Sequence, residues 1–174
     1  MKVIISLALS IIVSSALSQE FLPGYILTHE GDTIRGAVYY SSQSKYDECR
    51  FKINEKEETF TPDQIAGYGI DGVRAYTSKV TSSTFVEEVG IGTISLYKND
   101  NYYFLIKEGE SNLVLSRNKF DDIKMKGRYL GSIKYLTSDC EFTHSFEKMS
   151  LKESSLVKLL SKYEECSGSE FTSV

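Results

Sequence analysis

From Gly24 onward, apolar and polar positions alternate in short runs, each ended by Gly, Pro, Asn, Asp or Ser. Period-two alternation between turn residues is the mark of half-buried strands joined by hairpins. Tyr25 to Thr28 and Thr33 to Tyr40 flank His29-Glu30-Gly31-Asp32, a loop whose glycine can take a positive φ. Cys49 to Ile53 and Glu58 to Phe60 flank Asn54-Glu55-Lys56-Glu57, which predicts a second hairpin. Thr61-Pro62-Asp63-Gln64 reads as an N-cap followed by Pro at the first helical position, so a single helical turn is expected to about Ala66. The strand pattern resumes over Val73–Val80, Thr84–Val89, Gly92–Lys98 and Tyr102–Lys107, with Asn99-Asp100-Asn101 turning the chain between the last two. In Tyr102–Lys107 both faces are partly apolar, so one face is expected to meet a helix. Asn112–Ser116 is a further strand after the turn at Glu108-Gly109-Glu110-Ser111.

Past residue 120 the period lengthens. Tyr129, Leu130, Ile133 and Leu136 fall on one face at 3.6 residues per turn. In the last segment Ser150 and Glu153 have capping-box spacing, and Leu151, Leu156, Leu159, Leu160 and Tyr163 form an apolar stripe ending at Gly168. The expected fold class is therefore α+β: an antiparallel β meander of short hairpins, one short helical turn, and two C-terminal helices packing on the sheet.

The N-terminus has a different character. Met1-Lys2 is followed by an almost unbroken apolar run from Val3 to Val13, then by Ser14-Ser15-Ala16-Leu17-Ser18, which offers small residues where a signal peptidase cuts. As a helix the apolar run spans about 17 Å, against a bilayer core of roughly 30 Å. It reads as a cleavable export signal over residues 1–18, leaving 19–174 as a single globular α+β domain that begins at Gln19. No later run is apolar for long enough to span, so no membrane span is expected after cleavage. The expected location is the periplasm or the exterior.

Composition narrows the classes of function. The chain has 174 residues, 41% hydrophobic and 25% charged, which excludes disordered and collagen-like readings. Its formal charge of -4 becomes -5 once Lys2 leaves with the signal, since 20 cations against 24 acids become 19 against 24. No basic cluster stands out in the sequence, so nucleic acid is not an expected partner.

Three cysteines remain, Cys49, Cys140 and Cys166, and export places them where disulfides form. Three pairings are open, and loop-closure entropy, about 3.5 kcal/mol or slightly more for each, does not choose among them. Cys140 with Cys166 is the favoured pair, because it ties the end of the last helix to the connector before it. Cys49 is then left as a thiol.

Candidate chemistry is sparse. Gly67-Tyr68-Gly69-Ile70-Asp71-Gly72 spells a dinucleotide-binding fingerprint, but the order of elements around it is wrong, so the glycines are read as a tight turn into a strand and no nucleotide is expected. Cys140 and His144 are four apart and would pair as nucleophile and base only on a helix, whose pattern is missing there. His29, Glu30 and Asp32 are read as a solvated hairpin tip and not as metal ligands. Neither a cofactor nor a metal is implied, and no catalytic residue is assigned. With 12 Tyr and 9 Phe, the chain can offer rings for stacking on sugars or peptides, though strand propensity already favours them.

The order Pro23-Gly24-Tyr25, Gly31-Asp32-Thr33 with Gly36, Cys49-Arg50-Phe51, Thr61-Pro62, Gly67-Tyr68-Gly69, Ser95-Leu96-Tyr97, Asp139-Cys140 and Tyr163-Glu164-Glu165-Cys166 resembles a family of uncharacterised exported proteins of Bacteroidota. Some members carry an outer-membrane β-barrel after this region. The resemblance implies a bacterial envelope location and transfers no active site. The expected function is a non-enzymatic envelope module that binds a protein or a glycan. The alternative is a small exported hydrolase using carboxylates or a Cys–His pair.

Overall fold

The computed structural model describes residues 21–40, 45–120, 122–141, 146 and 149–174. The export segment 1–18 and His144 lie outside the described residues.

Among the described residues, eleven antiparallel strands form one sheet. They are β1 (Phe21–Leu27), β2 (Thr33–Tyr39), β3 (Cys49–Ile53), β4 (Lys56–Phe60), β5 (Gly67–Ile70), β6 (Arg74–Thr77), β7 (Val86–Ile91), β8 (Ile94–Lys98), β9 (Tyr102–Lys107), β10 (Leu113–Ser116) and β11 (Thr172–Ser173). Two meanders, β1 to β4 and β5 to β10, are joined where β5 pairs with β1, giving the order β10-β9-β8-β7-β6-β5-β1-β2-β3-β4. The short β11 pairs with β7. A 3₁₀ turn at Arg117–Lys119 leads to helices α1 (Ile123–Leu136) and α2 (Glu153–Ser167). No helix among the described residues is long and apolar enough to cross a membrane.

The turns show where local chemistry matched the sequence reading and where it did not. Between β1 and β2, Gly31 takes φ 94° and the Thr28 N–H closes the loop on the Asp32 carbonyl at 2.9 Å. The second hairpin is tighter than the expected four-residue loop. Asn54 and Glu55 both take positive φ, 47° and 64°, and Lys56 already pairs with Ile53. Two consecutive left-handed residues make the turn whose twist matches the flanking strands, so the hairpin closes early even without glycine.

At Thr61 the Gln64 N–H donates to the Thr61 carbonyl at 3.0 Å, while the Thr61 N–H donates to Gln64 Oε1 at 2.9 Å. This single turn is capped and goes no further. The strand expected over Val73–Val80 stops at Thr77, where the Thr77 and Ser78 hydroxyls donate to the carbonyls of Ala66 and Ile65. The largest correction concerns Gly67 to Ile70. It is a buried strand at the centre of the sheet and not a turn; only Gly72, at φ 68°, serves the turn.

Pairing register shows one face of the sheet to be the core face. A single cross-strand row runs Ile26, Tyr68, Tyr76, Glu87, Lys98, Tyr103, Leu115. Its two ends belong to two apolar clusters. One holds Ile26, Val38, Phe51, Tyr68, Tyr76 and Phe85. The other holds Leu96, Leu105 and Leu115 under Tyr129 and Ile133 of α1 and Leu156, Leu160 and Tyr163 of α2. The centre of the row is ionic. Arg74 reaches Glu87 at 2.8 Å, and Lys98 reaches Glu87 at 3.0 Å and Glu153 at 2.8 Å. Glu87 is only 5% exposed, so a buried carboxylate there needs both cations.

Each helix is set by its own ends. The Asp122 side chain caps α1 by accepting from the backbone N–H groups of Lys124 and Met125. The capping box expected at Ser150 and Glu153 is not formed. Lys152 is the N-cap and makes no side-chain bond, because Glu153 is drawn to Lys98 and the Ser150 hydroxyl pairs with that of Ser155. Gly168, at φ 76°, ends α2.

Candidate functional site

Both helices bury the Leu96–Leu105 side of the sheet, and among the described residues no helix covers the other face. Its side chains also follow from register. Arg35, Tyr25, Gly69 and Ala75 are successive partners across β2, β1, β5 and β6. Glu88, Tyr97, Phe104 and Val114 are successive partners across β7 to β10. Glycine is required between the aromatic wall and the strand beneath it. A Cβ on Gly69 would fall 2.5 Å from the Tyr25 ring, so the ring can lie flat only over a bare backbone.

Tyr25 is held from its other side by Arg35, whose guanidinium carbon lies 5.3 Å from the ring centroid and whose Nη1 reaches Asp71 at 2.7 Å. The same construction recurs on this face near β3. Phe21 and Tyr39 pack with ring centroids 5.5 Å apart, and Arg50 lies 4.1 Å from the Tyr39 centroid while bonding Glu57. Beside Tyr25, a hollow of about 300 Å³ is lined by Ile70, Asp71, Val73, Ala75 and Val174.

Glu88 is the titratable group that stands out on this face. Burial pushes its carboxyl above the usual carboxylate range, against the opposing pull of Lys79. The phenol of Tyr25 is pushed up by burial first and by the Glu88 charge second. Tyr97 is raised chiefly by burial. Three tyrosines, two stacked arginines and one half-buried carboxylate thus share one open sheet surface. This arrangement can stack on flat apolar faces and hydrogen-bond hydroxyl or amide groups.

The residues singled out from the sequence lie elsewhere. Cys140 and Cys166 are joined in a disulfide with Cα atoms 6.1 Å apart, tying the end of α2 to the connector after α1. A bonded sulfur is no thiolate, so Cys140 as joined here offers no nucleophile of the kind the hydrolase alternative names. Beside it Lys107 pairs with Asp139 at 2.7 Å, and the Tyr163 hydroxyl donates to the same carboxylate at 3.1 Å. Cys49 is a buried free thiol, pushed up to about 12 by desolvation.

At the β1–β2 tip, His29 Nε2 lies 3.1 Å from the Asp63 carbonyl, and the Glu30 carboxyl is held low by its own backbone N–H and the Thr28 hydroxyl. Among the described residues, no three His, Cys, Asp or Glu side chains converge as metal ligands would. Gly67 and Gly69 are strand residues, and neither opens a helix on which a phosphate could sit.

Sequence reasoning assigned no functional role to Arg35, Tyr25, Glu88 or Tyr97, because only the pairing of β1 with β5 brings the Arg35–Tyr25 and Glu88–Tyr97 pairs onto one sheet. A strand-parity argument could have placed Tyr25 with Arg35 once the first hairpin was assigned. No family model, curated protein or solved structure matches this chain.

Proposed function

We propose that this is an exported, non-enzymatic module of the bacterial envelope that binds a glycan or a protein on the open face of its sheet. The observation that carries the reading is the Arg35–Tyr25 stack set over Gly69, with Glu88 and Tyr97 on the same face. A half-buried carboxylate whose protonated form is favoured by burial detracts from stability at neutral pH, and such groups gather at functional surfaces. Charged groups stand beside the rings, Arg35 by Tyr25, Arg50 by Tyr39 and Glu88 by Tyr97, which suits a polar, ring-bearing ligand such as a glycan. The Cys140–Cys166 disulfide and the export signal read from residues 1–18 support an oxidising compartment.

Site-specific photocrosslinking in the host envelope tests this. A benzophenone side chain at Tyr97 is expected to capture a discrete glycan or protein, and one at the exposed Lys158 of α2, on the helix-covered side of the sheet, is not. Substituting Tyr25 and Glu88 together, as Tyr25→Ala and Glu88→Gln, is expected to abolish the Tyr97 adduct. An adduct unaffected by that pair, or equal capture from both positions, refutes the open face as the binding site.

A further inference from the structure

Helix α1 presents a surface that neither the fold nor the open sheet face uses. Its inward side is accounted for by Tyr129, Ile133 and Leu136, which are buried in the helix-covered core. The outward side carries Lys124, Arg128 and Lys134, which span about 120° of arc at 100° per residue. Helix α1 contains no acidic residue. Among the described residues, none of these three cations takes part in an ion pair. In a chain of net charge -4 this is a concentrated cationic face with no counter-charge of its own on the helix. Asp122, at the helix start, is turned to the backbone N–H groups it caps.

Two large side chains flank the cations. Ile123 is 88% exposed at the first turn and Tyr135 is 70% exposed at the last. Between them Gly127 and Gly131 leave open space, with nothing within 4 Å of where a Cβ would stand. Tyr135 also borders a hollow of about 320 Å³ lined by Leu113, Leu136 and Glu110. An exposed isoleucine at one end, a tyrosine at the other and three cations between them match the needs of a helix lying in a headgroup layer. The aliphatic chain enters the acyl boundary, the phenol sits at the interface, and the ammonium and guanidinium groups meet phosphates.

We propose that the outward face of α1 docks this protein on an anionic lipid surface. The contact is peripheral and reversible, with Lys124, Arg128 and Lys134 supplying the attraction and Ile123 the apolar anchor. It does not depend on the open sheet face, since the two surfaces are built from different elements.

The test is flotation of the protein recovered from its host with vesicles of phosphatidylglycerol and phosphatidylcholine in equal parts, compared with phosphatidylcholine alone. Because the comparison is made between variants of the same chain, any lipid affinity of other segments cancels. Binding is expected to the anionic vesicles only, and to weaken steeply as salt is raised. Each cation near such a surface is worth about fivefold in partitioning, so K124Q/R128Q/K134Q is expected to lose about a hundredfold. The three positions are solvent-exposed, and an unchanged thermal midpoint verifies that the variant is folded. Ile123→Ser is expected to weaken binding severalfold with the salt dependence preserved. Equal flotation of wild type and the triple variant overturns the proposal, as does equal binding to neutral vesicles. Charge-dependent self-association without flotation overturns it in favour of a second copy as the occupant. Crosslinking from Tyr97 is independent of all these outcomes.

Discussion

Glu164 is fully buried, yet it sits on a helix among Leu160 and Tyr163, and replacing it with alanine probes what anchors α2 to the sheet. Its Oε1 accepts the buried Ile94 N–H at 3.0 Å and its Oε2 accepts the Thr93 hydroxyl at 2.7 Å, so one carboxylate closes the β7–β8 turn from above. Gly92 makes room for it, since a Cβ there would stand 2.6 Å from Oε1. Hydrogen bonds to a charged group are worth about 1.5–3 kcal/mol each, and an orphaned buried N–H costs about 1–3 kcal/mol. Relief from burying the charge offsets part of this. The net loss for Glu164→Ala is therefore about 3 kcal/mol, a fall in thermal midpoint of about 6–12 °C for a chain of this size. Glu164→Gln keeps an acceptor for Ile94 and is expected to lose about 1 kcal/mol. Urea unfolding gives both values, and a double-mutant cycle with Thr93→Val is expected to show a coupling of about 1 kcal/mol. A Glu164→Ala midpoint equal to wild type, or a Glu164→Leu variant more stable than either, refutes the reasoning.

Three other outcomes are expected. Replacing Cys140 and Cys166 by serine removes a cross-link of sequence separation 26 and lowers stability by about 3.5 kcal/mol in the chain-entropy model, read as a lower urea midpoint with a slope that rises as the unfolded chain expands. Cys49, buried and pushed up to about 12, is expected to resist iodoacetamide at mildly alkaline pH in the native protein and to react once urea unfolds it; labelling at the rate of a free thiol contradicts that. Glu88, whose folded carboxyl titrates above its unfolded value, favours the folded state most below the unfolded value and loses that contribution as pH rises through the folded one, so Glu88→Gln is expected to be the more stable protein at neutral pH and not in acid.

Strands with plain alternation and polar turns were legible in the sequence, as were the two helical stripes: Tyr102–Lys107 and the Leu156–Tyr163 stripe carry their burial in their periodicity. Gly67 to Ile70 misled because its side-chain pattern is set by a neighbour 40 residues and more away: Gly69 is glycine on account of the Tyr25 ring. Ser150 and Glu153 had the right spacing for a cap, but an ion pair with Lys98 competed for the carboxylate and won. The open-face cluster was illegible for a related reason. Tyr25 and Glu88 lie on strands from different meanders, and only the β1–β5 pairing puts them on one sheet.

The ionic centre of the core row divides the molecule's cooperativity. Arg74, Glu87, Lys98 and Glu153 lie between the two apolar clusters, so each side gathers its own contacts: one through strands and the loops between them, the other through two helices and a cross-link. Amide hydrogen exchange is then expected to resolve two subglobal openings. Amides of β1 to β4 exchange through the less protected one, and those of β8, β9 and α2 only on global unfolding. Closure of β1 onto β5, which joins Gly24 to Ile70 across the hairpins between them, is expected among the late events in refolding.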